Sequence, residues 1–131
     1  MIYLIKHYEG NYNKAEFYAI IGKYFAERQY RKLMPYLIND SDFIWDIIVV
    51  KNEVKGFISY KDKNDKVHIG YCYCEEDKYY KKLLSCIPRK HTLIELEKTF
   101  NKLIYENIGF EVYKETTNYW YMEAVYNENL S

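Results

Sequence analysis

The sequence predicts an α/β fold, a mixed and mostly antiparallel sheet flanked by helices, formed by residues 1–131 as one domain. Three observations point there. Apolar periodicity alternates between strand and helix spacing in the order β, α, α, β, β, β, α, β, α, β, β. No internal repeat and no linker poor in apolar residues divides the 131 residues, a length that buries about two thirds of the unfolded surface without a disulfide staple. Finally, residues 103–110 read as a short helix stopped by Gly109 and followed by two strand-like runs.

Each element has its own signal. Residues 2–7 alternate weakly and open the sheet. Asn13 is placed to cap a helix over residues 14–27, where Phe17, Ile20, Ile21, Tyr24 and Phe25 recur at helical spacing. Residues 30–37 predict a second helix, with Pro35 near its end or kinking it. After a polar loop at 39–42, the β-branched run 44–51, a turn at 51–53 and the run 54–60 predict a hairpin. A second polar turn at 61–65 leads to an alternating third strand of the meander over 67–74. Asp77 is placed to cap a helix reaching Leu84, and Pro88 breaks the chain before a strand over 91–97. In the next helix Leu103, Ile104 and Ile108 share one side, and Gly109 takes the left-handed conformation that ends it. Phe110 opens a strand to residue 116, and a last strand spans 119–126.

Composition narrows the functional classes. Nineteen basic residues balance nineteen acidic ones, so no global positive field draws the chain to a phosphate backbone, and nucleic-acid binding is not expected. Short basic clusters at residues 28–32 and 78–82 read first as solvated helix faces. Aromatic residues make up 19% of the chain, which favours a folded core built from large rings with polar tips. Sixteen lysines against three arginines, with abundant Ile, Asn and Tyr, suggest an AT-rich genome, bacterial or of a phage or mobile element. The odd set Cys72, Cys74 and Cys86 points to reduced thiols in a cytosol. His68 and His91 add no paired Cys-x-x-Cys spacing to these thiols, so no metal site is expected. No run approaches the ~20 apolar residues of a membrane span and residues 1–6 do not form a signal peptide, so a cytoplasmic protein is expected.

A tyrosine four residues before the Gly109-Phe110 stop resembles the last helix of the GCN5-related N-acetyltransferase (GNAT) superfamily, and the element order is similar to that family's across nearly the whole chain. Residues 46–58 resemble its second and third strands, where a residue pair turns and a small residue begins the outgoing strand. Residues 67–74 sit where its fourth strand carries the backbone groups that hold a pantetheine arm. The resemblance implies acetyl-CoA as cofactor and N-acetyl transfer to an unidentified small-molecule or protein amine. It implies that Tyr105 faces the thioester sulfur and protonates the leaving thiolate. Glu75, at the end of the fourth strand beside Glu76, becomes the candidate base by position. Tyr71, Cys72, Tyr73 and Cys74 become the strand positions along the cofactor, and Lys78 and Lys81 the cations for its diphosphate. Strand parity alone leaves open which of Tyr71 and Tyr73 faces the cleft.

The blander readings differ at each position. Tyr105 packs its ring and wets its hydroxyl, Glu75 and Glu76 form an exposed acidic cap, and His68 is structural. The family's Gly-containing diphosphate loop after the fourth strand has no counterpart, since none of the five glycines lies between residues 75 and 90. Glu76 and Asp77 stand there instead, and Lys98 stands where many members have Asn. The alternative is therefore a degenerate GNAT-like binding protein without acyl transfer, of the kind a phage or mobile element encodes and directs at a host protein. Such a protein would use Tyr119, Trp120, Tyr121 and Tyr126, with Tyr79 and Tyr80, as an aromatic surface for a partner or a second copy.

Overall fold

The computed structural model describes residues 3–125. Its elements are β1 (Leu4–Tyr8), α1 (Lys14–Ala26), α2 (Arg28–Leu33), β2 (Ile44–Val50), β3 (Glu53–Lys63), β4 (Lys66–Cys74), α3 (Tyr80–Leu84), β5 (His91–Glu97), α4 (Lys102–Glu106), β6 (Glu111–Glu115) and β7 (Tyr119–Ala124), with a 3-10 turn at Asp77–Tyr79 leading into α3. The strands form one sheet in the order β1-β2-β3-β4-β5-β7-β6. Only β4 and β5 run parallel; the other neighbours are antiparallel. The predicted mixed, mostly antiparallel sheet and the predicted element order are both present.

Local chemistry explains the boundaries. The Asn13 side chain accepts a hydrogen bond from the Glu16 N–H and starts α1, whose buried face is Phe17, Ile21 and Tyr24. The second helix starts earlier and ends earlier than the spacing predicts. Met34 precedes Pro35, and the proline ring excludes it from helical geometry, holding it at φ −128° and ψ 69°. Lys51 and Asn52 both take positive φ, which makes a tight two-residue hairpin whose twist matches the flanking strands. The next turn closes on Asn64 and Asp65 alone, so β3 and β4 run further than predicted. Asp77 does not cap a helix: Glu76 holds the cap position without a side-chain bond, and Asp77 starts the 3-10 turn.

Gly109 does end α4, at φ 118°. The buried side of that helix is Tyr105, however, and Leu103 is 59% exposed. Ile104 and Ile108 of the predicted face do pack on the core as partly buried residues, so the departure is confined to Leu103. The predicted strand at 110–116 begins at Glu111, with Phe110 buried in the core. Ile2 and Tyr126, the outer ends of the first and last predicted strands, lie outside the described residues.

The sheet divides the core into two layers. On one face Phe17, Ile21 and Tyr24 of α1 and Tyr30 of α2 pack on Trp45, Ile47 and Phe57. On the other, Leu83 of α3 and Tyr105 of α4 pack on Ile58, Val67, Cys72 and Met122. Between the layers, β4 contains one extra residue. Ser59 pairs with Tyr71 and Tyr60 with Ile69, leaving Gly70 as a bulge. An added Cβ at Gly70 would lie 2.8 Å from Ser59 Oγ, so glycine suits the position. Because strand side chains alternate, one inserted residue exchanges the faces of everything after it. Val67 and Ile69 face α3 and α4, and beyond the bulge Cys72 and Cys74 do so instead. Tyr71 and Tyr73 therefore share the opposite face, with α1 and α2. Among the described residues, no helix is long and apolar enough to cross a membrane.

Candidate functional site

The bulge sits where the two parallel strands part. Lys66 to Ile69 of β4 pair in register with His91 to Ile94 of β5, and the ladder ends there. A bulge bends its strand and increases the local twist, so β4 leaves β5 at Gly70. The facing edges of residues 70–74 and 95–97 are left without ladder partners, and the result is a wedge between strands inside the sheet.

Each face of the wedge holds one tyrosine. On the α3/α4 face Tyr105 is 1% exposed, lies edge-on to Tyr80 and Phe110, and donates its hydroxyl to the Cys72 carbonyl at 3.1 Å. Burial drives its hydroxyl pKa well above that of a free phenol, so the proton stays on the oxygen. On the opposite face the Tyr71 hydroxyl donates to the Glu97 carboxylate and ties β4 to β5 across the gap. Burial first, and Glu97 second, raise the Tyr71 pKa.

Beside Tyr71 a cleft of about 450 Å³ opens on that same face. Its floor is His68, Gly70 and Tyr71 of β4 with Leu93, Glu95 and Glu97 of β5; Tyr36, Phe43, Tyr113 and Tyr119 form its walls. Glu95 and Glu97 are there because β5 alternates: Thr92, Ile94 and Leu96 are buried on the other side. Neither acid is among the candidates drawn from the sequence. Their signal was legible all the same, since acids at alternate positions of a strand with neighbours on both sides must face an opening or a partner.

Glu75 lies away from this cleft. Its Oε1 accepts the Tyr24 hydroxyl at 3.0 Å and the Tyr30 hydroxyl at 2.8 Å, its Oε2 accepts Tyr73 at 3.3 Å, and Lys23 Nζ is 3.5 Å away. Burial works to raise its pKa, but the tyrosine hydrogen bonds and Lys23 outweigh it and hold the carboxyl below the usual range. A carboxylate so thoroughly satisfied is a weak proton acceptor at neutral pH. Tyr105 packs in the other layer, as it also does relative to the cleft, and what sets Glu75 apart is that Tyr24, Tyr30, Tyr73 and Lys23 already surround its carboxylate.

The remaining candidates separate as well. The Cys72 and Cys74 side chains are buried against α3 and α4, and burial raises the Cys72 thiol far above its usual pKa. Only their main chain borders the wedge. Tyr73 packs against Tyr24, Tyr30 and Phe57. Lys78 is exposed, 3.7 Å from Glu76 and over the Tyr79 ring, and Lys81 is exposed one turn on. Of the proposed aromatic surface, Tyr79 and Tyr80 are buried core residues and drop out, because the 3-10 turn directs both inward. Trp120 lies under Lys98 and Lys102, Tyr121 packs at a tilt against Tyr119 and Tyr113, and Tyr126 is outside the described residues.

These residues fit one end of a coenzyme A thioester better than the other. The Cys72 carbonyl, turned out of the ladder into the wedge, is an acceptor suited to an amide-bearing pantetheine arm, and Tyr105 is within reach of the same place. At the start of the 3-10 turn no glycine opens a cradle of N–H groups, and Glu76 and Asp77 oppose an anion; Lys78 and Lys81 are the cations available there.

No family model and no curated protein matches the sequence. Solved structures do match the fold. Escherichia coli ElaA superposes with a TM-score of 0.68 at 18% identity, covering 94% of this chain and 99% of that one. The PaiA N-acetyltransferase of Thermoplasma acidophilum, in complex with coenzyme A, gives 0.62 at 16% identity over 96% and 100% of the two chains. The Campylobacter jejuni N-acetyltransferase PseH, in complex with acetyl coenzyme A, gives 0.60 at 17% identity over 95% and 100%. The fold is that of the GNAT superfamily.

Proposed function

We propose that this protein transfers an acyl group from a coenzyme A thioester to an amine. The observation that carries the reading is the juxtaposition of the wedge, the Tyr105 hydroxyl on its β4 edge and the acid-lined cleft that opens beside it. PaiA and PseH, which share the fold, are N-acetyltransferases with bound coenzyme A or acetyl coenzyme A, and this supports the same class of donor.

The donor supplies an activated acyl carbon: the amine lone pair forms the C–N bond as the C–S bond breaks, the amine gives up a proton and the thiol takes one. The attacking amine must be neutral, and a carboxylate directly or through water accepts its proton. Glu95 and Glu97 face the cleft from which an amine would approach, whereas Glu75 is held ionised elsewhere, so the base is assigned to the β5 pair. Tyr105 holds its proton too firmly to surrender it fully. Its single O–H, which donates to the Cys72 carbonyl in the free protein, would turn toward the sulfur as negative charge develops there, and the thiolate would take its proton from solvent. Lys78 and Lys81 would meet the diphosphate.

Isothermal titration with acetyl-CoA and with CoA tests the reading. Micromolar binding supports it. The absence of binding overturns it in favour of a GNAT-fold binding protein, the reading that Glu76 and Asp77 at the diphosphate end favour.

A further inference from the structure

The face formed by the end of α1, by α2 and by the segment after it is basic and apolar at once. A pocket of about 510 Å³ there is lined by Arg28, Arg31 and Lys32 together with Phe25, Pro35 and Leu37, and no acid is among its lining residues. The three cations are exposed, and among the described residues none of them has an ion pair. Glu27, the neighbouring acid, accepts the Gln29 amide at 3.2 Å instead. Positions 28, 31 and 32 lie one helical turn apart, so their like charges repel and weaken the short helix. A chain with sixteen lysines and three arginines also places two of its arginines here, Arg28 and Arg31. Large apolar side chains border the pocket without a cover. Tyr36 and Ile38, on either side of Leu37, are 69% and 58% exposed, and Tyr18 is 42% exposed and packs edge-on to Phe25 at 5.6 Å.

We infer that this face docks a partner protein through an acidic segment, whose apolar side chains cover Tyr18, Phe25 and Leu37 and whose carboxylates meet Arg28, Arg31 and Lys32. The inference does not rest on the acyl-transfer reading and concerns a different face from the wedge. Three features select that partner. Guanidinium forks pair bidentately with carboxylates, a geometry that lysine does not reproduce, and this gives two arginines a use in a lysine-rich chain. Exposed apolar surface rimmed by polar groups is the composition of a protein interface, in which aromatic residues and arginine are enriched. A small anion would neutralise the cations and leave Tyr18 and Ile38 in water, whereas a peptide chain covers both parts at once. A nucleic acid is disfavoured by the balanced charge of the whole chain, which supplies no wider field for a phosphate backbone.

The test uses the full chain and a short fluorescein-labelled peptide in which glutamates surround one phenylalanine and one leucine, followed by anisotropy at low ionic strength without any acyl donor. The expected result is saturable binding that weakens with added salt and falls by about tenfold in the Arg28→Gln/Arg31→Gln double variant. The same peptide with glutamine at every glutamate is expected to bind about tenfold more weakly, and Tyr18→Ser to lose several-fold in affinity. Lys51→Gln/Lys63→Gln removes two exposed cations from the β2–β3 hairpin and is expected to bind like the parent chain. Binding that is absent, equal for the two peptides, indifferent to the arginine variant, or lowered as much by the lysine variant would overturn the inference. So would displacement of the peptide by a single-stranded oligonucleotide or by inorganic phosphate at equal or lower concentration, which would make the face a general anion site. The thermal transition verifies that the arginine variant is folded, and the two single variants decide the matter if the double one is not. Peptide binding with no binding of acetyl-CoA would leave this surface standing while the transfer reading fails.

Discussion

The Tyr105 hydroxyl donates to the Cys72 carbonyl at 3.1 Å, and that bond joins the last helix to the strand edge where the sheet opens. The carbonyl would otherwise be a buried acceptor without a partner, because β5 has already diverged from β4 at Ile94.

Replacing Tyr105 by Phe keeps the ring between Tyr80 and Phe110 and removes only the hydroxyl. The Cys72 carbonyl loses its partner, and stability falls by about 1 kcal/mol in urea unfolding. Turnover is expected to fall by roughly 10- to 100-fold with acetyl-CoA affinity nearly unchanged. A loss of affinity as large as the loss of turnover would mean that the hydroxyl acts in binding alone.

Glu75→Gln removes the charge on which the Tyr24 and Tyr30 hydroxyls and Lys23 converge. The expected loss is about 1–3 kcal/mol. Because the folded-state pKa of Glu75 lies below that of an unfolded glutamate, its contribution is present above the usual carboxylate range and disappears as pH falls through the folded value. Urea midpoints from pH 7 to pH 3 would show this acid-labile part in the parent chain and not in the variant. Turnover at neutral pH should survive better in this variant than in Glu95→Gln/Glu97→Gln, and the opposite ranking would restore Glu75 as the base.

His7 lies between two carboxylates, with Nδ1 2.6 Å from Asp46 and Nε2 2.9 Å from Glu9. Burial pulls its pKa down, but the two acids outweigh burial and raise it above 6.5. The pair therefore stabilises the fold fully below pH 6.5, and this contribution is lost as pH rises through the folded value. Asp46→Asn should lower the His7 pKa in an NMR titration. An unchanged value would show that Asp46 does not interact with the charged ring.

Gly56→Ala puts a Cβ 2.6 Å from the Tyr73 carbonyl oxygen, a main-chain atom that cannot rotate away. The two strands must separate locally. A loss of about 1–3 kcal/mol in thermal or urea unfolding is expected, and a neutral result would mean that the β3–β4 contact is looser than the structure shows.

How much of this was legible in the sequence depended on the range of the interaction. Asn13 capping α1, Gly109 ending α4 and the two polar hairpin turns are local effects, decided within a few residues, and each was readable in advance. Leu103 misled because apolar spacing names a helix face without saying which ring the neighbouring strand has room for. Glu75 misled because its position at a strand end says nothing of Tyr24 and Tyr30, which reach it from two helices far earlier in the chain.

By itself the sequence determined the order of strands and helices, and with it a mixed sheet, because periodicity and turn chemistry act between neighbours. Only the tertiary structure decided where the site lies. One inserted glycine in β4 exchanges the faces of Tyr71 and Cys72 and coincides with the end of the parallel ladder, so the wedge and its acidic cleft depend on a register between strands. Register is set by packing across the whole sheet, and alternation within a single strand does not contain it.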